Sequence, residues 1–494
     1  MNKKGFSGRT LAGLLLLNLV VHFIPFERPG FQPDDFVWQN LARVPPPWSF
    51  VERSLGQPTR PLGWLLYIVM PALVGLNEVT QIAILVASTS ALTALVYAFL
   101  AGVLPRSLAN LATLAFVAWP VKHEIYASQL FAVITFASML IVGSGLAYRK
   151  WVHSGSRPAL ALAVAFYGVS IFTYEIGYAA PLVFLLIDRP RRERLSSLTW
   201  FLIPAGLYWA VRFGNGLETE RVLGRHELEP GLLVFNLATS LPSNLFGFQL
   251  ARNVAYGFWS FICGPLWLQA AGLGVAVFGG ILSARWIRES RHEAVVDRWV
   301  VNAGKALLCA ALLALPSAMV LVESRHSVLA AAGMAVAISM VSARAHPAAG
   351  ATLIAVLLLA SQGLALRQTE ASRMQAAVHE VIVQRRDEIR SASVVVFDIE
   401  SLARRAPYTW GETRKNVFRS YWGIHAFSDW GFRAMVGDVL SEEGPLRPKV
   451  VTCSAGLRVL QTTVSCDRDY RDQKPFVVDR EGALIIEFAT IPLP

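Results

Sequence analysis

The chain has 494 residues, and 54% are hydrophobic but only 16% charged; a soluble domain is nearer ~25% charged. Its formal charge of +11 could suggest nucleic acid, but much of the Lys and Arg lies in short loops between apolar runs, so topology and anionic headgroups account for it, and no nucleic-acid reader fold is visible. The apolar runs of about 15–25 residues can each cross a ~30 Å hydrocarbon core, and an open sheet is excluded in lipid because its edges stay unsatisfied; the chain reads as an α-helical polytopic membrane protein.

Residues 1–9 carry Lys3, Lys4 and Arg9, and an apolar run follows over 10–26 with no small-x-small cleavage site after it. This predicts a retained signal anchor with the N-terminus in the cytoplasm. Residues 27–60 are then outside, rich in Pro, Trp and charge, and hold PDDFVWQN. The stretch 61–76 is short and has Pro71 near its middle. If it lies along the outer surface, the later loops with Arg106, with Arg149 and Lys150, with Arg189 to Arg194 and with Arg285 to Lys305 fall inside, as the positive-inside rule asks. It is therefore expected to be an interfacial helix.

Spans are expected near 10–26, 81–104, 108–121, 128–147, 158–173, 176–188, 197–212, 259–284, 304–323, 327–343 and 347–366, about 11 in all. The transmembrane domain covers 1–366, with a first outer loop and interfacial helix at 27–80 and a long outer loop at 213–258. Residues 367–494 form a small extracytoplasmic domain of α/β or α+β type: polar and apolar positions alternate at helical spacing over 367–390, then SASVVVFDI, PKVVTC, KPFVVD and ALIIEF read as strands. Cys453 and Cys466, with twelve residues between them, are expected to pair outside the cytoplasm. Cys263 and Cys309 lie in apolar runs and read as small core residues.

Five separate stretches bring ionisable groups to one membrane face: Asp34 and Asp35; Arg60; Lys122, His123 and Glu124; Glu175; Arg325 and His326. Singly, each has a plain structural use. An Asp suits a helix cap, a membrane-edge Arg meets headgroups, and WPVKHEIY reads as a hydrated turn. Glu175 stands out, because only two or three residues separate the apolar runs on either side, and an acid so near hydrocarbon is costly without a partner or role. Together the set suits glycosyl transfer from a polyprenyl-phosphate donor. A carboxylate would take the acceptor proton, and cations would take up the charge of the leaving phosphate. No zinc spacing, P-loop, GxSxG or dinucleotide fingerprint competes.

In these residues the chain resembles the GT-C superfamily of polytopic glycosyltransferases, in particular the branch of the protein O-mannosyltransferases. The order is Asp34-Asp35 and Asn40 in the first outer loop, Arg60-Pro61-Leu62, Pro120-Val121 and Glu124, a membrane-edge Glu175, and a late Arg325. The likeness covers about residues 1–345. Where that family has His-Pro-Val-His-x-Glu, this chain has Trp119-Pro120-Val121-Lys122-His123-Glu124; its Lys-Glu is Tyr174-Glu175 and its late Arg-Tyr is Arg325-His326. The resemblance implies an inverting transferase whose general base is a first-loop Asp, Asp34 with Asp35 second. Glu124 and Glu175 would orient the acceptor or a metal, and Arg60, Arg325 and Arg221 or Arg225 would hold the donor phosphate. Lys122, His123 and His326 complete the expected substrate-binding set.

The expected partners are a polyprenyl-phosphate sugar donor, membrane lipid and an extracytoplasmic acceptor, with no nucleic acid, in a bacterial cytoplasmic membrane. No tightly bound cofactor is expected, though interfacial carboxylates could hold Mg²⁺ or Mn²⁺ loosely. Three rival readings remain: an O-antigen ligase or polymerase working through Arg221, Arg225 and His226 of the 213–258 loop; a lipid-linked sugar flippase or transporter, which would need mid-membrane charges and repeat symmetry; and a non-enzymatic assembly subunit whose tail binds partners through Trp410, Tyr421, Trp422 and Trp430.

Overall fold

A computed structural model describes residues 7–23, 60–74, 78–126, 131–188, 192–214, 248–318, 327–399, 429–440, 448–469 and 474–488. Within them the chain is mostly helical. Four helices are long and apolar enough to cross a membrane: Val79–Val103, Ala132–Ser154, Leu266–Ser290 and Pro347–Leu366. Seven shorter apolar helices accompany them among the described residues, and the expectation of about eleven spans needs those to cross as well.

The chain divides into two compact units. Among the described residues, the first comprises the N-terminal helix, residues 60–67 and the elements from Gln81 to Arg367, and the second comprises the described part of 68–80 and everything from Gln368 on. The first unit holds α1 (Gly8–Phe23), the start of α2 (Pro61–Val74), α3 (Glu78–Val103) from Gln81 on, α4 (Arg106–Ala118), α5 (Ala132–Ser154), α6 (Arg157–Thr173), α7 (Ala180–Ile187), α8 (Leu202–Gly214), α9 (Phe248–Ile262), α10 (Leu266–Ser290), α11 (Ala294–Asp297), α12 (Trp299–Ala318), α13 (Val328–Arg344) and the start of α14 (Pro347–Gln384). Short 3-10 turns at Pro120–Tyr126, Glu175–Gly177 and Arg192–Phe201 interrupt the series.

The centre of this unit is α4, buried from Ser107 to Ala118. Its sequence is apolar or small on every side, the pattern of a helix with no solvent face, and α1, α10 and α13 pack around it. Helix pairs meet through small residues and short hydroxyl bonds, as expected where lipid gives no hydrophobic drive between helices. Ser144 donates to the Ala163 carbonyl at 2.7 Å and Ser170 to the Ala137 carbonyl at 2.9 Å across the α5–α6 hairpin. That hairpin turns at Gly155, whose φ of 72° is a left-handed cap open to glycine without strain. Between α9 and α14, Gly257 sits against the Ala360 backbone and Gly363 against the Gly257 backbone, so closely that a Cβ on either would collide.

Several expected boundaries move, each for a local reason. The span expected over 108–121 stops at Ala118, because Trp119 turns extended ahead of Pro120 (φ −71°, ψ 112°). The run 259–284 is two helices, broken between Ile262 and Leu266 where Gly264 and Pro265 stand. The expected span 176–188 is α-helical only over Ala180–Ile187, about 12 Å at 1.5 Å per residue. The helix expected to end at 366 continues without interruption to Gln384. Of the two cysteines placed in the core, Cys309 is buried but Cys263 is exposed, because it falls at the α9–α10 break. The stretch expected to be interfacial is the 14-residue α2, about 21 Å long and short of a ~30 Å core.

The second unit is an α/β fold. Its main sheet has the order β5-β2-β1-β7, built from β1 (Val394–Asp398), β2 (Lys449–Ala455), β5 (Arg468–Asp469) and β7 (Ala483–Glu487). β1 runs parallel to both β2 and β7, and β5 pairs antiparallel to β2. A smaller antiparallel sheet has the order β3-β4-β6, from Arg458–Val459, Thr463–Cys466 and Phe476–Asp479. Each of the four stretches read as strands holds one. The core joins Val378 and Ile382 of α14, Phe397 of β1, Phe432 of α16 (Asp429–Leu440) and Phe488; α15 is the short helix Arg386–Ser391. Phe397 stacks on Phe432 with ring centroids 4.0 Å apart. A disulfide joins Cys453 of β2 to Cys466 of β4, with Cα atoms 5.8 Å apart.

Candidate active site

Two motifs singled out separately in the sequence meet in the first unit. Arg60 directly precedes α2. Its carbonyl accepts from the Trp64 N–H at 2.8 Å, and Pro61 opens the helix, where its fixed φ suits the first turn and its missing N–H costs nothing. Glu175 comes just after α6, which ends when Tyr174 turns extended (φ −161°, ψ 132°) with its N–H bonded to the Ser170 carbonyl. Two glycines bring these ends together. A Cβ on Gly63 would strike the Thr173 carbonyl, so the first turn of α2 sits directly on the end of α6. A Cβ on Gly177 would strike Ile141, so the turn after Glu175 presses against α5.

The result is a two-point ion pair. Arg60 Nε donates to Glu175 Oε2 at 2.8 Å and Nη2 to Oε1 at 2.7 Å. The side chains are only 26% and 14% exposed. The guanidinium also lies over the Tyr174 ring, 3.9 Å from its centroid, a contact that favours a partly desolvated cation. Burial works against the Arg60 charge, but the attraction and hydrogen bonds of Glu175, with Tyr174 and Tyr67 adding to them, outweigh it and hold the guanidinium's pKa well above its ordinary value. Nε and Nη2 face Glu175, which leaves Nη1 as the nitrogen not committed to the pair. A carboxylate that fixes one edge of an arginine fork presents the rest in a set direction.

Lys122 has a different setting. It lies on the 3-10 turn Pro120–Tyr126 and is fully buried, where the sequence suggested a hydrated turn. Its ammonium donates to the Val117 carbonyl at 3.4 Å and to the Tyr126 hydroxyl. Tyr126 donates in turn to Asn18 Oδ1 at 3.1 Å. His22 stacks on Tyr126 at 3.7 Å, and its Nε2 lies 3.0 Å from the Val117 carbonyl, so that nitrogen carries the proton. Phe116 and Tyr126 also offer ring faces to the ammonium, at 4.9 and 4.5 Å. Every partner is neutral, and burial pushes the Lys122 pKa well down. The network ties α1 to the turn after α4. Asn18, His22 and Tyr126 were missed in the sequence; the signal was two polar residues four apart in an apolar helix, matched by Lys122 and Tyr126 four apart on the turn.

A second ion pair was also missed: Arg149 Nε meets Asp188 Oδ2 at 2.8 Å, and the Tyr148 hydroxyl donates to the Asp188 carbonyl at 2.9 Å. It fastens the end of α5 to the end of α7. In the sequence Arg149 had served only as a topology marker.

Of the remaining expected site residues, Asp34, Asp35, Arg221, Arg225, Arg325 and His326 lie outside the described residues. His123 and Glu124 fall on the same 3-10 turn as Lys122, and their side chains are outside what is described. Among the described residues no three His, Cys, Asp or Glu side chains converge as a metal-binding group.

No family model matches the chain, and no curated protein matches it. Among solved structures it is similar to the archaeal oligosaccharyltransferase AglB from Archaeoglobus fulgidus in complex with an inhibitory peptide and a dolichol-phosphate, with a TM-score of 0.36 and 12% identity over 88% of this chain. The chain spans 63% of the length of that protein. A likeness at that TM-score does not define a shared fold.

Proposed function

We propose that the protein is a membrane glycosyltransferase that moves a sugar from a polyprenyl-phosphate donor to a hydroxyl-bearing acceptor outside the cytoplasm. The supporting observation is the Arg60–Glu175 pair: residues 115 apart in sequence are joined by two charge-assisted bonds at helix ends, with one guanidinium nitrogen left over. In this reading Asp34, with Asp35 second, takes the proton of the acceptor hydroxyl. The acceptor oxygen attacks the anomeric carbon from the face opposite the phosphate. The carbon–oxygen bond to phosphate breaks, the phosphate keeps the electron pair, and the anomeric configuration inverts. Arg60, set in place by Glu175, meets the growing phosphate charge through Nη1, and Arg325 with Arg221 or Arg225 adds further cations. Glu175 therefore orients Arg60 and does not itself serve as a base. Lys122 lies on the same turn as Glu124, which would face the acceptor or a loosely held divalent cation.

Binding of a short-chain polyprenyl phosphate to the purified protein in nanodiscs tests the phosphate role. Arg60→Gln should weaken binding about ten- to a hundredfold, the worth of a charge-assisted hydrogen bond. Equal binding by wild type and a folded Arg60→Gln variant would remove Arg60 from the donor site.

A further inference from the structure

A cavity of about 620 Å³, lined by both charged and apolar side chains, lies between α1, α4 and α10. Its size is within the range of small-molecule sites, roughly 300–1,000 Å³. Arg9 reaches it from the first turn of α1, Arg106 from the first residue of α4, and Arg285 and Glu289 from the last turns of α10, with Glu293 just beyond. All three arginines therefore stand at ends of apolar helices, the level at which lipid headgroups sit. Arg285 is already committed to Glu289, at 2.8 Å. Arg9 and Arg106 have no ion pair among the described residues, nor has Glu293.

One further feature points to a ligand. Asn110, one turn deeper in α4, also lines the cavity; it is only 3% exposed, and its Oδ1 has no hydrogen-bond partner. A buried acceptor of this kind carries a desolvation cost unless a donor reaches it. The cavity thus offers two uncommitted cations for an anion, and an acceptor with an uncommitted carboxylate for a donor.

We propose that this cavity binds the phosphoethanolamine headgroup of a membrane lipid. The phosphate sits between Arg9 and Arg106, and the ammonium is shared by Glu293 and Asn110 Oδ1. The site is separate from the Arg60–Glu175 pair, so it stands whether or not the protein transfers sugars.

The test is native mass spectrometry of the purified protein released from nanodiscs holding equal amounts of phosphatidylethanolamine and phosphatidylcholine. Both lipids carry the phosphate, but the choline has no N–H to give. Wild type should retain the ethanolamine lipid about tenfold over the choline lipid, the scale of charge-assisted bonds. Glu293→Gln should fall to parity, because the preference rests on the ammonium; the R9A/R106A variant should lose retention of both lipids, while Arg288→Ala, exposed on α10 outside the cavity, should keep the wild-type pattern. Arg9→Gln alone, at an exposed position, serves if the double variant does not fold. Parity in the wild type, an undiminished preference in Glu293→Gln, or undiminished lipid retention in the arginine variant would overturn the proposal. So would equal displacement of the lipid by millimolar inorganic phosphate, which would make the ligand a free anion.

Discussion

Glu175→Gln should cost the protein about 2–3 kcal/mol of stability and slow sugar transfer by at least about tenfold. The substitution keeps the shape of the side chain and one acceptor oxygen, but it removes the charge that holds Arg60. Removing one partner of a buried pair typically costs about 3–5 kcal/mol, because the other charge is left without compensation. The lower figure applies here because Arg60 keeps about a quarter of its side chain exposed, at 26%. The double variant Arg60→Gln/Glu175→Gln should recover much of the loss, since it buries no net charge. It should not recover activity, because the phosphate-facing nitrogen is gone. Thermal melting and turnover of the two singles and the double form a closed cycle. A Glu175→Gln single as stable as wild type would show that the pair is not structural.

Lys122→Met should move stability the other way, upward by about 1–3 kcal/mol. Lys122 is fully buried with only neutral partners. Removing it strands little: Tyr126 still donates to Asn18, and the Val117 carbonyl still faces His22. Met follows the path of the lysine stem and needs no hydration. The pH dependence supplies the sign. Burial lowers the folded pKa of Lys122 below the unfolded value of about 10.4, so between those two values the unfolded chain binds more protons than the folded one. The penalty is complete below the folded pKa and vanishes as pH rises through the unfolded one. Wild-type stability should therefore climb across that window, and the Lys122→Met variant should not show the climb. A variant less stable than wild type, with the same pH slope, would mean that Lys122 is charged and compensated in the folded protein.

The sequence made the apolar class legible because composition and run length report it directly. The β strands of the second unit were legible for the same kind of reason: VVVFD and ALIIE are dense in β-branched residues and bounded by turns. Helix ends were read less well. Trp119 and the Ile262–Leu266 break obey local rules for Pro and Gly that an apolar average smooths over. At the candidate site, Glu175 was marked by cost, as an acid close to hydrocarbon. Its partner could not be read, because Gly63 and Gly177 set the pairing through backbone contact across distant segments. Lys122 looked solvent-facing because a charged triplet after a proline usually is. Its burial depends on Asn18 and His22, more than ninety residues earlier, which no local pattern connects to it. Asp34 and Asp35 remain a reading of the sequence.

Turnover of labelled polyprenyl-phosphate sugars by the purified protein, wild type beside Asp34→Asn, tests the central claim most directly. The account predicts transfer with release of polyprenyl phosphate by the wild type, and a loss of about 10²–10⁴-fold in a variant that melts normally, the usual worth of a general base. Full activity in both Asp34→Asn and Asp35→Asn would contradict it.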